Sequence, residues 1–281
     1  MAVAGTGSEP LAARPPAAEL APGAADVTVR PEGAADVTVR LLGPIEVVGP
    51  AGPALLVGAR QRGLVALLAL NAGAVVPQAR LVDALWGEDP PRTAVRSLHS
   101  HVSRVRQALQ TCGLGDVVRT REPGYVLTLD RGRIDVHRFE AAVRAAAAGD
   151  PVPHLRAALA LWRGEALADG EPAGWAAAEV QRLHEARLTA VEDLWEAEIA
   201  AGRHAAAVGE LERELVAHPA RERLVGLLML ALYRSGRHAD ALDRYERLRV
   251  RLADELGVDP GPELRRLHTA ILRQDPGLAA A

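Results

Sequence analysis

The sequence contains no lysine: all 33 of its basic residues are arginine. A glycine-rich loop that cradles nucleotide phosphates needs a lysine after it, so a P-loop nucleotidase is excluded. The single cysteine, Cys112, excludes a disulfide framework and fits a reducing cytosol. It has no CxxC partner and reads as a small buried residue. Aromatic residues make up only 3% of the chain, so the core must be built from Leu, Val and Ala. No apolar run approaches the ~18 residues of a membrane span. The first 25 residues carry Glu9 and Glu19 and no apolar centre, so they are not a signal peptide. No spacing of Ser, His and Asp outlines a triad or a carboxylate pair, so no enzyme is expected. His99 and His101, two positions apart on a helix, point about 200° from each other and cannot readily share an ion. Neither metal nor cofactor is expected.

What the chain does have is an uneven charge distribution. Residues 60–133 hold 11 Arg against 6 acids, residues 134–281 hold 19 Arg against 24 acids, and residues 1–59 hold 3 Arg against 6 acids. A basic block of this size between acidic flanks points to one module that meets a polyanion. The octapeptide GAADVTVR occurs twice, starting at Gly23 and Gly33. The first copy runs into Pro31-Glu32-Gly33, which ends any strand. Only the second continues into LLGPIEVV, so the first reads as a local duplication within a disordered tail, residues 1–36.

From residue 37 the pattern is ordered. VTVRLLGPIEVV predicts a strand or a bent strand pair, and ALLV a short return strand. ARQRGLVALLALNAG predicts a helix stopped near Gly73, VVPQARLVDALWG a short strand and helix, residues 93–111 a longer helix, and VVRTREPGYVLTL a hairpin turning at Glu122-Pro123-Gly124. Beyond residue 138 the pattern is helical throughout. GRHAAA at Gly202 and GRHADA at Gly236 are 34 residues apart, the period of tetratricopeptide helix hairpins.

The helix from Thr93 carries the functional signal. At 100° per residue, Val95, Leu98, Val102, Val105 and Leu109 form one face, expected to pack inward. Thr93, Arg96, Ser97, Ser100, Arg104 and Gln107 fall opposite, with no acid among them. Arg pairs bidentately with guanine, Gln with adenine, and hydroxyls serve phosphates or bases. An ordinary solvated face usually mixes both signs; this one does not. Strands, three helices and a terminal hairpin within about 95 residues describe a winged helix-turn-helix, with the third helix in the major groove. The hairpin carries Arg119 and Arg121 near its tip, placed for phosphates or a minor groove. Tyr125 reads as core packing. The expected contact set is Thr93, Arg96, Ser97, Ser100, His101, Arg104, Gln107, Arg119 and Arg121. The rival reading is a helical-repeat interaction adaptor without specific DNA binding, against which the basic block argues.

RLLGPIEV, GARQRGLVALLAL, LVDALWGEDPP, SLHSHVSRVRQAL and REPGYVL resemble the N-terminal half of SARP-type activators of antibiotic pathways. ALALWRGEALAD, HEARLTAVEDLWEAEIAAGRH, HPARERLVGLLMLALYRSGRHADAL and ELGVDPGPELRRLH resemble the bacterial transcriptional activator domain that follows it. The resemblance covers residues 37–275 in unbroken order. It implies a mainly α fold with a small β component. An OmpR-type winged helix (37–133) precedes a tetratricopeptide-like helical domain (134–275) and a tail (276–281). It further implies a cytoplasmic transcriptional activator that binds direct repeats of double-stranded DNA as a tandem pair of copies. Such activators recruit RNA polymerase, through its sigma factor, to biosynthetic promoters. Arg104 matches a base-contacting position, Arg96 and Ser97 match backbone-contacting positions, and Arg121 matches the wing arginine. Gly87, Glu88, Asp89, Pro90 and Pro91 match the loop that touches polymerase. Glu122-Pro123 departs from the small flexible residues of many OmpR-type wings and makes a stiffer, acidic tip.

Overall fold

The computed structural model describes residues 38–170 and 174–278. The tail 1–36, the first octapeptide copy and the last three residues lie outside the described residues. A three-stranded antiparallel sheet opens the fold: β1 (Val39–Arg40), β2 (Glu46–Gly49) and β3 (Gly52–Pro53). VTVRLLGPIEVV is therefore a bent strand pair, since Pro44 supplies no N–H to continue one ladder. The return strand is displaced to Gly52–Pro53. Residues 54–57, read as that strand, are irregular apart from the bond from Ala54 N–H to the Val47 carbonyl.

Three helices follow: α1 (Ala59–Leu70), α2 (Gln78–Trp86) and α3 (Ala94–Thr111). The wing is β5 (Val118–Arg121) and β6 (Gly124–Leu127), with β4 (Val76–Pro77) completing a sheet of order β4-β6-β5. Seven further α-helices follow among the described residues: α4 (Asp135–Ala146), α5 (Pro151–Leu159), α6 (Gly174–Ala200), α7 (His204–Ala217), α8 (Glu222–Arg234), α9 (His238–Leu256) and α10 (Pro262–Leu272). The two GRH motifs open α7 and α9, each after a glycine in the left-handed region, Gly202 (φ 81°) and Gly236 (φ 76°). That conformation closes the preceding helix at little cost only for glycine. The 34-residue period is thus a repeat of helix hairpins, α7–α8 and α9–α10. At the expected tail, Pro276–Leu278 form a 3-10 turn, and the Leu278 carbonyl accepts from Arg234 Nε at 2.9 Å.

The apolar core does not divide at residue 134. One core runs from Val39 to Leu194 and combines the winged helix with α4, α5 and the first part of α6: Leu41, Leu42, Leu64 and Leu98 share it with Ile134, Phe139, Leu155 and Leu183. A second core spans Leu188 to Ile271. The helix α6 contributes to both.

Polar contacts reinforce the seam. Buried Asp135 accepts from the backbone N–H groups of Leu41, Leu42 and Val136 at 2.8–2.9 Å. Asp169 accepts from the Ile45 N–H at 2.7 Å and pairs with Arg62 at 3.1 Å. Arg163 pairs with Glu46 at 3.1 Å and donates to the Pro44 carbonyl.

Candidate nucleic-acid interface

Helix α3 lies across the three-helix unit with Ala94, Leu98, Val102, Val105 and Leu109 buried. Val95, expected on this face, is 49% exposed. It sits about 60° from Leu98 on the first turn, where the stripe has already rotated past its neighbours, and Ala94 takes the inward position instead. Arg96, Ser100, Arg104 and Gln107 are exposed together on the opposite face, joined by Ser103. Thr93 is exposed at the helix N-terminus and makes no side-chain cap; its carbonyl accepts from the Ser97 N–H. Ser97 is half-buried, and the Ser100 hydroxyl donates back to the Arg96 carbonyl at 3.2 Å.

His101 stands apart from this set. It points to the side of α3 that meets α2, half-buried, with its ring 6.0 Å from that of Trp86. Burial, then the positive charges of Arg104 and Arg60, lower its pKa and favour the neutral ring. The imidazole packs against an indole instead of joining the exposed polar face.

The wing is positioned by a residue the sequence reading did not single out. Arg106 lies on the flank of α3, donates from Nε to the Val118 carbonyl at 2.8 Å and from a terminal nitrogen to Thr120 Oγ1 at 2.9 Å, and stacks over Tyr125. Strand alternation then turns Thr120 toward α3 and places Arg119 and Arg121 on the other face, both exposed. Arg119 donates from Nε to the Asp116 carbonyl at 3.4 Å. The only hint of Arg106 in the sequence is its place on α3, where it reads as one more basic residue. Gly124 pairs with Pro77, and a Cβ there would meet the Val76 carbonyl oxygen at 1.9 Å. Only glycine lets the wing lie this close to β4. Tyr125 is buried, as its packing role requires.

A second unforeseen feature flanks α3. Leu55 and Val57, in the irregular link to α1, are 79% and 65% exposed and border a groove with Arg104, Gln107 and Thr111. Apolar side chains thus lie beside the polar face.

The loop between α2 and α3 leaves the helix at Gly87, whose φ of 68° is left-handed. Glu88, Asp89, Pro90 and Pro91 are exposed. This segment stands at the N-terminal end of α3.

Ion pairing separates the two halves of the molecule. In the helical part most arginines are neutralised: Arg156 and Arg203 on buried Glu198, Arg221 and Arg223 on buried Glu192, Arg187 on Glu214 and Arg244 on Glu212. Among the described residues, Arg80, Arg92, Arg96, Arg104, Arg119 and Arg121 make no ion pair. These six lie on α2, at the start of α3, on its exposed face or on the wing; Arg106 on the flank of α3 and, elsewhere, Arg131, Arg133, Arg144, Arg265 and Arg273 also make no ion pair among the described residues.

Comparison with known proteins gives these features a context. Residues 53–127 match the family "Transcriptional regulatory protein, C terminal", and residues 134–272 match "Bacterial transcriptional activator domain". The chain is 41% identical to the transcriptional regulator RedD of Streptomyces coelicolor over 249 residues, 85% of this chain and 71% of that protein. It is 38% identical to the regulatory protein DnrI of Streptomyces peucetius, over 85% of this chain and 93% of that one. A solved structure, titled as Mycobacterium tuberculosis EmbR in complex with low affinity phosphopeptide, superposes with a TM-score of 0.80 at 39% identity. It covers 86% of this chain and 66% of EmbR.

Proposed function

Because the chain belongs to the SARP family of transcriptional regulators, we propose that it is a sequence-specific DNA-binding activator that seats α3 in the major groove. Two copies occupy direct repeats in tandem, and the Gly87–Pro91 loop engages RNA polymerase at its sigma factor. The observation that carries the reading is the concentration of guanidinium groups without ion pairs on α2, α3 and the wing, in a molecule that neutralises most of its other arginines. A charge held by a carboxylate has little left for a phosphate, whereas a free one releases counterions when it meets DNA.

Arg104 stands at the edge of the exposed face with Ser100 and Gln107 one turn to either side, so its planar fork reaches base edges. Arg121, at the wing turn, meets phosphate or the minor groove. The two therefore fail differently. Arg104→Ala costs about 1–3 kcal/mol at the true site and flattens the preference at one base position. Arg121→Ala weakens true and scrambled sites alike and reduces the slope of log affinity against log salt by about one. The measurement is the affinity for both sites across a salt series. Equal loss at both sites for Arg104→Ala, with a reduced slope, would mean that Arg104 is a phosphate anchor and that another face of α3 reads the bases.

A further inference from the structure

The root of the Gly87–Pro91 loop is held by the helical domain. A helix ends with carbonyls that have no partner within it. At the end of α2 the Asp83 carbonyl is taken by the Gly87 N–H at 2.8 Å. The Ala84 carbonyl accepts from the indole N–H of Trp175 at 3.0 Å. Trp175 is the second residue of α6, half-buried against the first core. On the opposite side, Trp86 is flanked by the Arg60 guanidinium at 5.6 Å and the His101 ring at 6.0 Å. Two indoles thus fix the last turn of α2, one reaching in from α6 and one packed toward α3. Beyond Gly87 the next backbone hydrogen bond among the described residues is from the Ala94 N–H to the Pro91 carbonyl.

The helix that carries Trp175 is also the one that joins the two cores. It has 27 residues and is about 40 Å long. Leu183 and Leu194 pack into the first core, and Leu188 and Ile199 into the second. Trp175 and the residues that pack into the second core thus lie on one continuous helix.

We propose that Trp175 is a positioning residue for the Gly87–Pro91 loop, through which the helical domain sets how that loop is presented to polymerase. The proposal rests on the reading of this loop as the polymerase contact. Trp175 bonds the end of α2 and not the exposed face of α3, so its loss is expected to spare DNA affinity.

The test uses the full chain. Trp175→Phe removes the N–H donor and keeps a ring. A second variant carries benzothienylalanine at position 175, which keeps the indole shape and replaces the N–H with sulfur, should Phe leave a gap. In both, amide exchange at Trp86 and Gly87 rises about fivefold, the effect of one lost hydrogen bond at a helix end. Affinity for operator DNA stays within about twofold, and transcription at saturating occupancy falls about threefold or more. Unchanged exchange at Trp86 and Gly87 overturns the proposal, as does a loss of DNA affinity in step with transcription, which would mark a general structural role. Replacing Glu88 and Asp89 with Ala in the same transcription assay separates the two readings. If that pair leaves transcription intact, the polymerase reading of the loop fails, while the exchange data still decide whether Trp175 holds its root. If the pair lowers transcription and Trp175→Phe does not, the positioning role fails alone.

Discussion

At the scale of single residues, Asp135 carries the most weight in the seam between the two halves. Its carboxylate takes three backbone N–H groups, two of them from the turn after β1. Burial pushes its pKa up to about 6, opposed by those hydrogen bonds and by the charge of Arg163. A carboxyl whose folded pKa is raised adds stability that is complete below its unfolded value and is lost as the pH rises toward about 6. Asp135→Asn removes one acceptor oxygen and points an amide at the same donors. It should destabilise the protein by about 2–4 kcal/mol near pH 4 and by less near pH 7. Denaturant unfolding at the two pH values measures this. An equal or larger penalty near pH 7 would mean that Asp135 stays ionised in the fold across this range.

At the scale of elements, the wing is held by backbone proximity and by Arg106. The close pass of Gly124 against the Val76 carbonyl leaves no room for a side chain. Gly124→Ala must part β6 from β4, at about 1–3 kcal/mol of stability. Arg119 and Arg121 move with the strand, so the salt dependence of DNA binding should lose up to about two units of slope while the α3 contacts persist. Thermal unfolding and a salt series check the two effects; an unshifted melting temperature would show that the strands part freely. The signal for this element was only partly legible in the sequence. The hairpin and its Glu122-Pro123 turn follow from alternation and proline, but the choice of α3 residue that clamps it follows from the angle at which the hairpin meets the helix.

At the scale of the whole molecule, the family boundaries and the cores do not coincide. The two family matches meet near residue 130, whereas the first core continues to Leu194. Cutting the chain after residue 133 removes Ile134, Phe139, Leu155 and Leu183 and leaves Leu41 and Leu42 facing water. Each such side chain is worth about 1.5–3 kcal/mol when fully buried. The isolated fragment 1–133 should therefore melt at least about 15 °C below the full chain. A fragment ending at residue 200 retains the whole first core and should keep most of that stability. If the 1–133 fragment melts with the full chain, the winged helix is self-sufficient and the shared core contributes little. The same geometry explains why a helical domain could influence a loop beside the exposed face of α3: the two share one core there.

The sequence by itself determined the element order, the polar face of α3, the basic wing and the 34-residue helix-hairpin repeat, because each depends on local periodicity, on glycine and proline, or on charge along one helix. It did not reveal that Val95 would be exposed, that His101 would lie against Trp86, that Leu55 and Val57 would border α3, or that Arg106 would clamp the wing. Those outcomes depend on how far each helix extends past its neighbours and at what angle, which contacts distant in the chain decide. The seam is the clearest instance. Nothing near Asp135 in the sequence marks it as the acceptor for Leu41 and Leu42, 94 and 93 residues away. Burying those N–H groups requires an acceptor, and only the tertiary structure decided which side chain would be there to supply it.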